Sequence, residues 1–123
     1  MNVTLWIIQV LLALAFVMAG TLKLTQPKEK LQPQMRYVED FSQGTVRLIG
    51  LLEVLGAAGL ILPAVTGILP GLTPLAALGL ALTMIGAMLT HLRRKELPMI
   101  AVNFVLLALA AFVVYGRYVA LPL

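Results

Sequence analysis

The chain has 123 residues, of which 61% are hydrophobic and 11% charged, and its mean hydropathy is +1.01. A soluble domain is about half apolar and about a quarter charged, so this composition is typical of a membrane protein. There is no cysteine and only one histidine, His91, which excludes disulfides, thiolate metal sites and a His-cluster metal centre within one copy. The net charge is +4, and the basic residues lie in loops between apolar runs. We therefore expect them to contact anionic lipid headgroups rather than nucleic acid.

Four apolar runs are long enough to be transmembrane helices. They cover residues 3–22, 46–62, 72–90 and 99–115. A helix needs about 20 apolar residues to cross the hydrocarbon core, with a range of about 17 to 25. The first run lacks a preceding basic segment and exceeds the apolar core of a signal peptide, about 7 to 15 residues, so we interpret it as a retained helix. We therefore predict that residues 1–123 form a single all-α membrane domain, a four-transmembrane-helix bundle.

The basic residues predict the orientation of this bundle. Lysines and arginines gather in the loops after the first and third runs, whereas the turn at residues 63–71 carries no charge, and only Arg117 departs from the pattern. The positive-inside rule then places both basic loops in the cytoplasm and both termini outside.

The loop between the first two spans is predicted to contain a short amphipathic helix. Pro33 suits its first turn, and Leu31, Met35, Val38 and Phe41 recur at helical spacing. A helix with one apolar face beside a membrane span lies in the interface. An ordered polar loop is the alternative.

One polar residue from each span is expected in the cytoplasmic half of the bundle. Glu53 is the only acidic residue within the apolar runs, and an ionisable group at that depth faces protein or a wet cavity. Lys23, His91 and Asn103 lie at a similar depth on the other three spans. The four residues are predicted to form a polar cluster, which either locks the bundle or binds a ligand, with no catalytic role assigned. Alternatively, Lys23 snorkels to the headgroups and His91 is an interfacial residue.

Small residues predict how the helices pack. Helix association in lipid depends on close packing at small residues and on hydrogen bonds between helices. The glycines concerned are Gly50, Gly56 and Gly59 in the second span and Gly79 and Gly86 in the third. We expect these two spans to form a tight hairpin, with Glu53 turned inward.

Several of these segments resemble the DoxX-like family. The segment AGTLKL at residues 19–24 is similar to that family's AGxxKL ending of the first helix. Residues 47–63, RLIGLLEVLGAAGLILP, are similar to its RxxGxxExxGAxGLxLP stretch, and residues 74–79 and 86–91 continue the match. The resemblance implies a multi-pass protein of the bacterial cytoplasmic (inner) membrane, in contact with the lipid bilayer.

The resemblance also suggests a function. The family takes its name from a membrane subunit associated with thiosulfate:quinone oxidoreduction, and some relatives are tied to oxidative-stress complexes. The compact bundle, the basic cytoplasmic face and the absence of redox side chains predict an accessory protein without intrinsic catalytic activity, and the resemblance suggests that it supports a quinone-linked or oxidative-stress redox complex. Its partner would be another membrane protein or a second copy of the chain. We expect no cofactor or metal within the chain itself, and a quinone is the small molecule to which the resemblance points.

Two other functions stay open. In the first, a quinone or lipid headgroup enters the bundle, and Glu53 and His91 act as acid/base or hydrogen-bonding groups; a pocket beside Glu53 would favour this. The second is proton-coupled export, because small multidrug resistance proteins are also four-helix chains with one essential membrane acid. Their acid lies in the first helix, and the one-sided charge bias here argues against a dual-topology dimer, so we rank export last.

Overall fold

The computed structural model describes residues 2–31 and 41–120. They form the helices α1 Asn2–Thr25, α2 Lys28–Leu31, α3 Gln43–Thr66, α4 Leu72–Arg93 and α5 Leu97–Tyr115, and a π-helical segment, Gly116–Ala120, continues α5. No strand occurs in these two stretches. Four helices, with α5 and its extension counted as one, are long and apolar enough to cross a membrane. The predicted all-α fold with four spans is confirmed.

Local sequence explains where the long helices begin and end. The hydroxyl of Ser42 accepts a hydrogen bond from the Thr45 N–H at 3.1 Å, so α3 begins before its predicted start at residue 46. Gly67 ends α3 in the left-handed conformation, with φ at 73°, and its N–H donates to the Pro63 carbonyl at 3.0 Å. Pro98 lies in the first turn of α5, where its missing N–H removes no helical hydrogen bond.

A short helix lies between the first two spans, as expected. This helix is α2, whereas the amphipathic helix predicted from Pro33 onward falls on residues 32–40, which lie outside the described residues. Leu31 of α2 and Val46 of α3 are buried together, with Leu22 and Phe41 packed against them. The segment therefore packs onto the adjoining ends of α1 and α3.

The four long helices are arranged as two antiparallel pairs. α1 packs mainly against α3, and α4 mainly against α5, while α3 and α4 join the pairs. A shared core holds the pairs together and includes Leu12, Phe16, Leu60, Leu80, Met84 and Val113. We call the end of the bundle with Asn2, Gly67 and Ala120 the termini side, and the end with Thr25, Gln43, Arg93 and Leu97 the loop side.

The backbones of α1 and α3 approach each other closely at Gly20 and Gly50. A Cβ added to Gly20 would lie 2.6 Å from the Gly50 carbonyl oxygen, and one added to Gly50 would lie 2.7 Å from that of Gly20. Gly56 and Gly59 instead face α4, where an added Cβ would lie 2.7 Å from Leu80 and from Ala76 respectively. α3 therefore uses its glycines against two neighbours.

Gly79 and Gly86 do not make the close packing contacts expected of them. Both are exposed, and an added Cβ would meet no described atom within 4 Å. The residues that α4 buries are instead Ala77, Leu80, Ala81 and Met84, which lie on a different side of the helix. The second and third spans, α3 and α4, do pack against each other, but through Gly56 and Gly59 of α3 and not through Gly79 and Gly86.

Candidate functional site

The four predicted polar residues are buried at one level, in the loop-side half of the bundle. The exposed fractions are 5% for Lys23, 3% for Glu53, 3% for His91 and 6% for Asn103. They come from α1, α3, α4 and α5 respectively, and all four line the same cavity. The structure therefore brings together one polar side chain from each long helix.

Lys23 and Glu53 form a direct ion pair within the bundle. Lys23 Nζ donates a hydrogen bond to Glu53 Oε1 at 2.5 Å. The packing at Gly50 explains this geometry, since an added Cβ there would lie 2.7 Å from Lys23 Cβ. This close approach brings the base of the lysine onto α3, so its amine points inward to the carboxylate instead of outward to the headgroups.

His91 has a partner that was not predicted from the sequence. Its Nδ1 lies 2.9 Å from Glu96 Oε1, and its carbonyl accepts the Glu96 N–H at 2.9 Å. Arg94 Nε also approaches the same carboxylate oxygen, at 3.3 Å. Glu96 therefore ties the end of α4 to the start of α5. The signal for it was present, because Glu96 is the one acid among the basic residues of that turn.

Asn103 differs from the other three residues of the cluster. Its side-chain nitrogen, Nδ2, is buried and has no hydrogen-bond partner among the described residues. Leaving a buried donor unpaired costs about 1 to 3 kcal/mol, so such a group is uncommon and calls for an explanation. Asn103 also lines the cavity, although its Nδ2 itself has almost no accessible surface.

The cavity lies between the two helix pairs, and we call it the loop-side cavity. Its volume is about 510 Å³, within the range of about 300 to 1,000 Å³ typical of small-molecule sites. Its walls are mainly apolar, and they include Phe16, Leu52, Met84, Val102 and Leu106. Leu52 and Val102 of this lining are also exposed at the outer surface of the bundle.

A second buried polar cluster lies at the termini side. Arg117 is only 3% exposed; its Nε donates to Gln9 Oε1 at 2.7 Å and its Nη1 to Asn2 Oδ1 at 2.8 Å. Its guanidinium also lies over the Trp6 ring, 5.6 Å from the ring centre. Gln9 Nε2 donates in turn to the Leu60 carbonyl at 2.8 Å. This cluster ties α1, α3 and the extension of α5 together.

Sequence reasoning missed the termini-side cluster. It treated Arg117 only as an exception to the charge bias, although the structure buries this side chain against α1. Gln9 was the signal that could have found it, because an amide in the middle of an apolar run needs a partner.

A sequence comparison identifies the family. The model of the DoxX-like family matches residues 7–113, a range that holds all four residues of the loop-side cluster and the glycines of α3 and α4. Searches of curated proteins and of solved structures gave no significant match. The match extends over most of the chain, and the protein therefore belongs to the DoxX-like family.

Proposed function

We propose that this protein binds a small amphipathic molecule in the loop-side cavity. The observation that carries the proposal is a cavity of about 510 Å³ beside Glu53, with apolar walls and a few buried polar groups. A ligand's apolar body would lie against residues such as Phe16 and Leu106, and its polar head near Asn103. A quinone and a membrane lipid are both molecules of this kind, and both would enter from the bilayer.

The polar groups of the cavity favour binding over catalysis. The Glu53 carboxylate accepts a hydrogen bond from Lys23 at 2.5 Å, so using it as a base requires breaking an ion pair at membrane depth. The His91 ring is also held in place, because its Nδ1 lies 2.9 Å from Glu96 Oε1. Groups fixed in this way shape and orient the polar end of a site, which is what recognition needs.

The accessory role is a second proposal. The protein is an integral membrane protein of the DoxX-like type. The family takes its name from a membrane subunit associated with thiosulfate:quinone oxidoreduction, which supports a redox partner in the membrane. The cavity favours the quinone-linked form of this role, because it offers a place to hold a small apolar molecule for a partner that carries out the chemistry.

Filling the cavity should abolish binding. Ala87 lines the cavity, so the ring introduced by Ala87→Phe would occupy part of it. Ala101 is exposed on α5 and does not line the cavity, so Ala101→Phe is the matched control. Native mass spectrometry of protein extracted with its own lipids would detect molecules that co-purify. We expect a bound molecule with the unmodified protein and with Ala101→Phe, and its loss with Ala87→Phe. Equal occupancy in both variants, or none in the unmodified protein, would contradict the proposal.

We also propose that the loop side faces the cytoplasm of a bacterium, in its inner membrane. The support is the concentration of lysine and arginine at that side, together with the burial of Arg117, which removes it from the exposed charge on the other side. Alkaline phosphatase fused at Gly67 or after Leu123 should be active, and fused within the turn at Arg94 it should be inactive. The opposite pattern would invert the orientation.

A further inference from the structure

We infer that the ligand of the loop-side cavity is an acidic amphiphile, with one acyl chain in the cavity and a phosphate or carboxylate head against Arg93. The inference rests on the proposed function and, of the two kinds of molecule named there, favours the lipid. It is carried by the position of Arg93, which is exposed at the loop-side end of the face of α4 that lines the cavity.

Arg93 continues the cavity-lining face of α4. The lining takes Thr83, Ala87, Thr90 and Arg93 from this helix, and residues three or four positions apart lie on one side of a helix. Arg93 is the last residue of α4, and it is exposed. The stem of an arginine packs along apolar surface while its guanidinium stays in water, so this residue joins the apolar cavity to the headgroup layer.

The cavity extends along the helix axes, as an acyl chain in a bilayer does. On α4 its lining runs from Thr83 to Arg93, about 15 Å at the helical rise per residue. On α1 it runs from Ala15 to Lys23, about 12 Å by the same rise. The linkage between acyl chain and head then lies near Asn103, and the charge of the head lies beyond it at Arg93.

The acidic residues around the cavity are engaged with other cations. Glu53 pairs with Lys23. Glu96 contacts both His91 and Arg94. Breaking a buried ion pair is strongly unfavourable, so these groups stay together when a ligand enters. Recognition of a charged head therefore falls to residues nearer the water.

Arg93 and Lys95 place positive charge at the loop-side end of the cavity. Both are exposed, and neither forms an ion pair with a carboxylate within residues 2–31 and 41–120. Lys95 has a φ of 59°, in the left-handed region, so the turn carries a lysine where the backbone favours glycine. Lysine and arginine beside the headgroup layer attract acidic lipids. A phosphocholine head gains less, because its own cation offsets the phosphate.

Three probes with the same acyl chain length separate the possible heads: palmitoyl lysophosphatidylglycerol, palmitoyl lysophosphatidylcholine and palmitate. Binding is measured by native mass spectrometry of the protein released from phosphatidylcholine nanodiscs at alkaline pH, where palmitate is ionised. We expect both anions to bind about tenfold more tightly than lysophosphatidylcholine, the ratio that corresponds to about 1.4 kcal/mol. The tighter of the two anions identifies the source of the acidic head, a phospholipid or a free fatty acid.

Two variants test the basic residues. Arg93→Gln should weaken binding of both anions about fivefold, the ratio expected for one cation beside an acidic membrane surface, and leave lysophosphatidylcholine unchanged. Arg47→Gln is the matched control, because Arg47 is an exposed cation at the loop side that does not line the cavity. Lys95→Gly should also weaken binding of the anions without loss of stability, since glycine adopts a φ of 59° without strain.

The other outcomes separate the inference from the proposed function. Equal binding of the three probes, lost in Ala87→Phe and kept in Ala101→Phe, would overturn the inference and leave the cavity as a site for a neutral head, such as that of a quinone. If Arg47→Gln weakens the anions as much as Arg93→Gln does, the preference reflects general attraction to a basic surface, and the inference fails. If Ala87→Phe binds all three probes as well as Ala101→Phe does, the probes lie elsewhere, and the proposed function fails as well.

Discussion

Glu53→Leu should destabilise the protein by about 3 to 5 kcal/mol, because it leaves the Lys23 ammonium buried without the carboxylate that neutralises it. Glu53→Gln should be nearly as harmful, since an amide does not cancel the charge. The double variant Lys23→Met, Glu53→Leu removes both charges and should recover most of the loss. Unfolding by sodium dodecyl sulfate in mixed micelles, followed by circular dichroism, gives the free energies for the cycle.

The control for this cycle is Arg47→Met, which removes an exposed cation from the start of α3. Surface charges contribute about 1 kcal/mol or less, so this change should have little effect alone and little coupling to position 53. A coupling energy between positions 23 and 53 below about 0.5 kcal/mol, as for independent sites, would show that the pair does not stabilise the bundle.

Gly50→Ala should destabilise the bundle by about 1 to 3 kcal/mol, the usual cost of overpacking. The new methyl group would meet the Gly20 carbonyl oxygen and Lys23 Cβ at 2.7 Å, so α1 would have to move away. That movement would also lengthen the ion pair between Lys23 and Glu53.

The matched change Gly79→Ala should have the opposite sign. Its new methyl group would meet no described atom within 4 Å, and alanine is more favourable than glycine in a helix by up to about 1 kcal/mol. The same unfolding measurement compares the two variants. A similar loss of stability for both would mean that Gly79 packs against something in the membrane, such as a second copy of the chain.

The depth of a residue along its transmembrane helix could be predicted from the sequence, whereas the direction in which that residue faces around the helix axis could not. The rise of a helix is fixed, so the apolar run lengths placed Lys23, Glu53, His91 and Asn103 at one depth. Hydropathy could not decide which face a residue presents, because lipid and protein core are equally apolar. The same limit made Gly79 and Gly86 look like packing residues.

The hydrogen bonds and ion pairs at the helix ends also could not be predicted from the hydropathy and charge patterns. Glu96 lies in a turn, where the charge bias was used only to set orientation, and its bonds to His91 and Arg94 depend on the path of that turn. The loop-side cavity is lined from all four long helices, so its size depends on side-chain volumes across the whole bundle. Its polar residues were foreseeable individually, but the space between them was not.

The contact between Gln9 and Arg117 bears on how the protein is made. The two residues are 108 positions apart, so Gln9 enters the bilayer well before Arg117 is synthesised. Until the helix that carries Arg117 leaves the ribosome, the Gln9 side-chain oxygen cannot accept its hydrogen bond from the Arg117 guanidinium. The termini-side cluster therefore forms only after α5 has been inserted, and a chain that stalls before Arg117 leaves Gln9 and Asn2 without this partner.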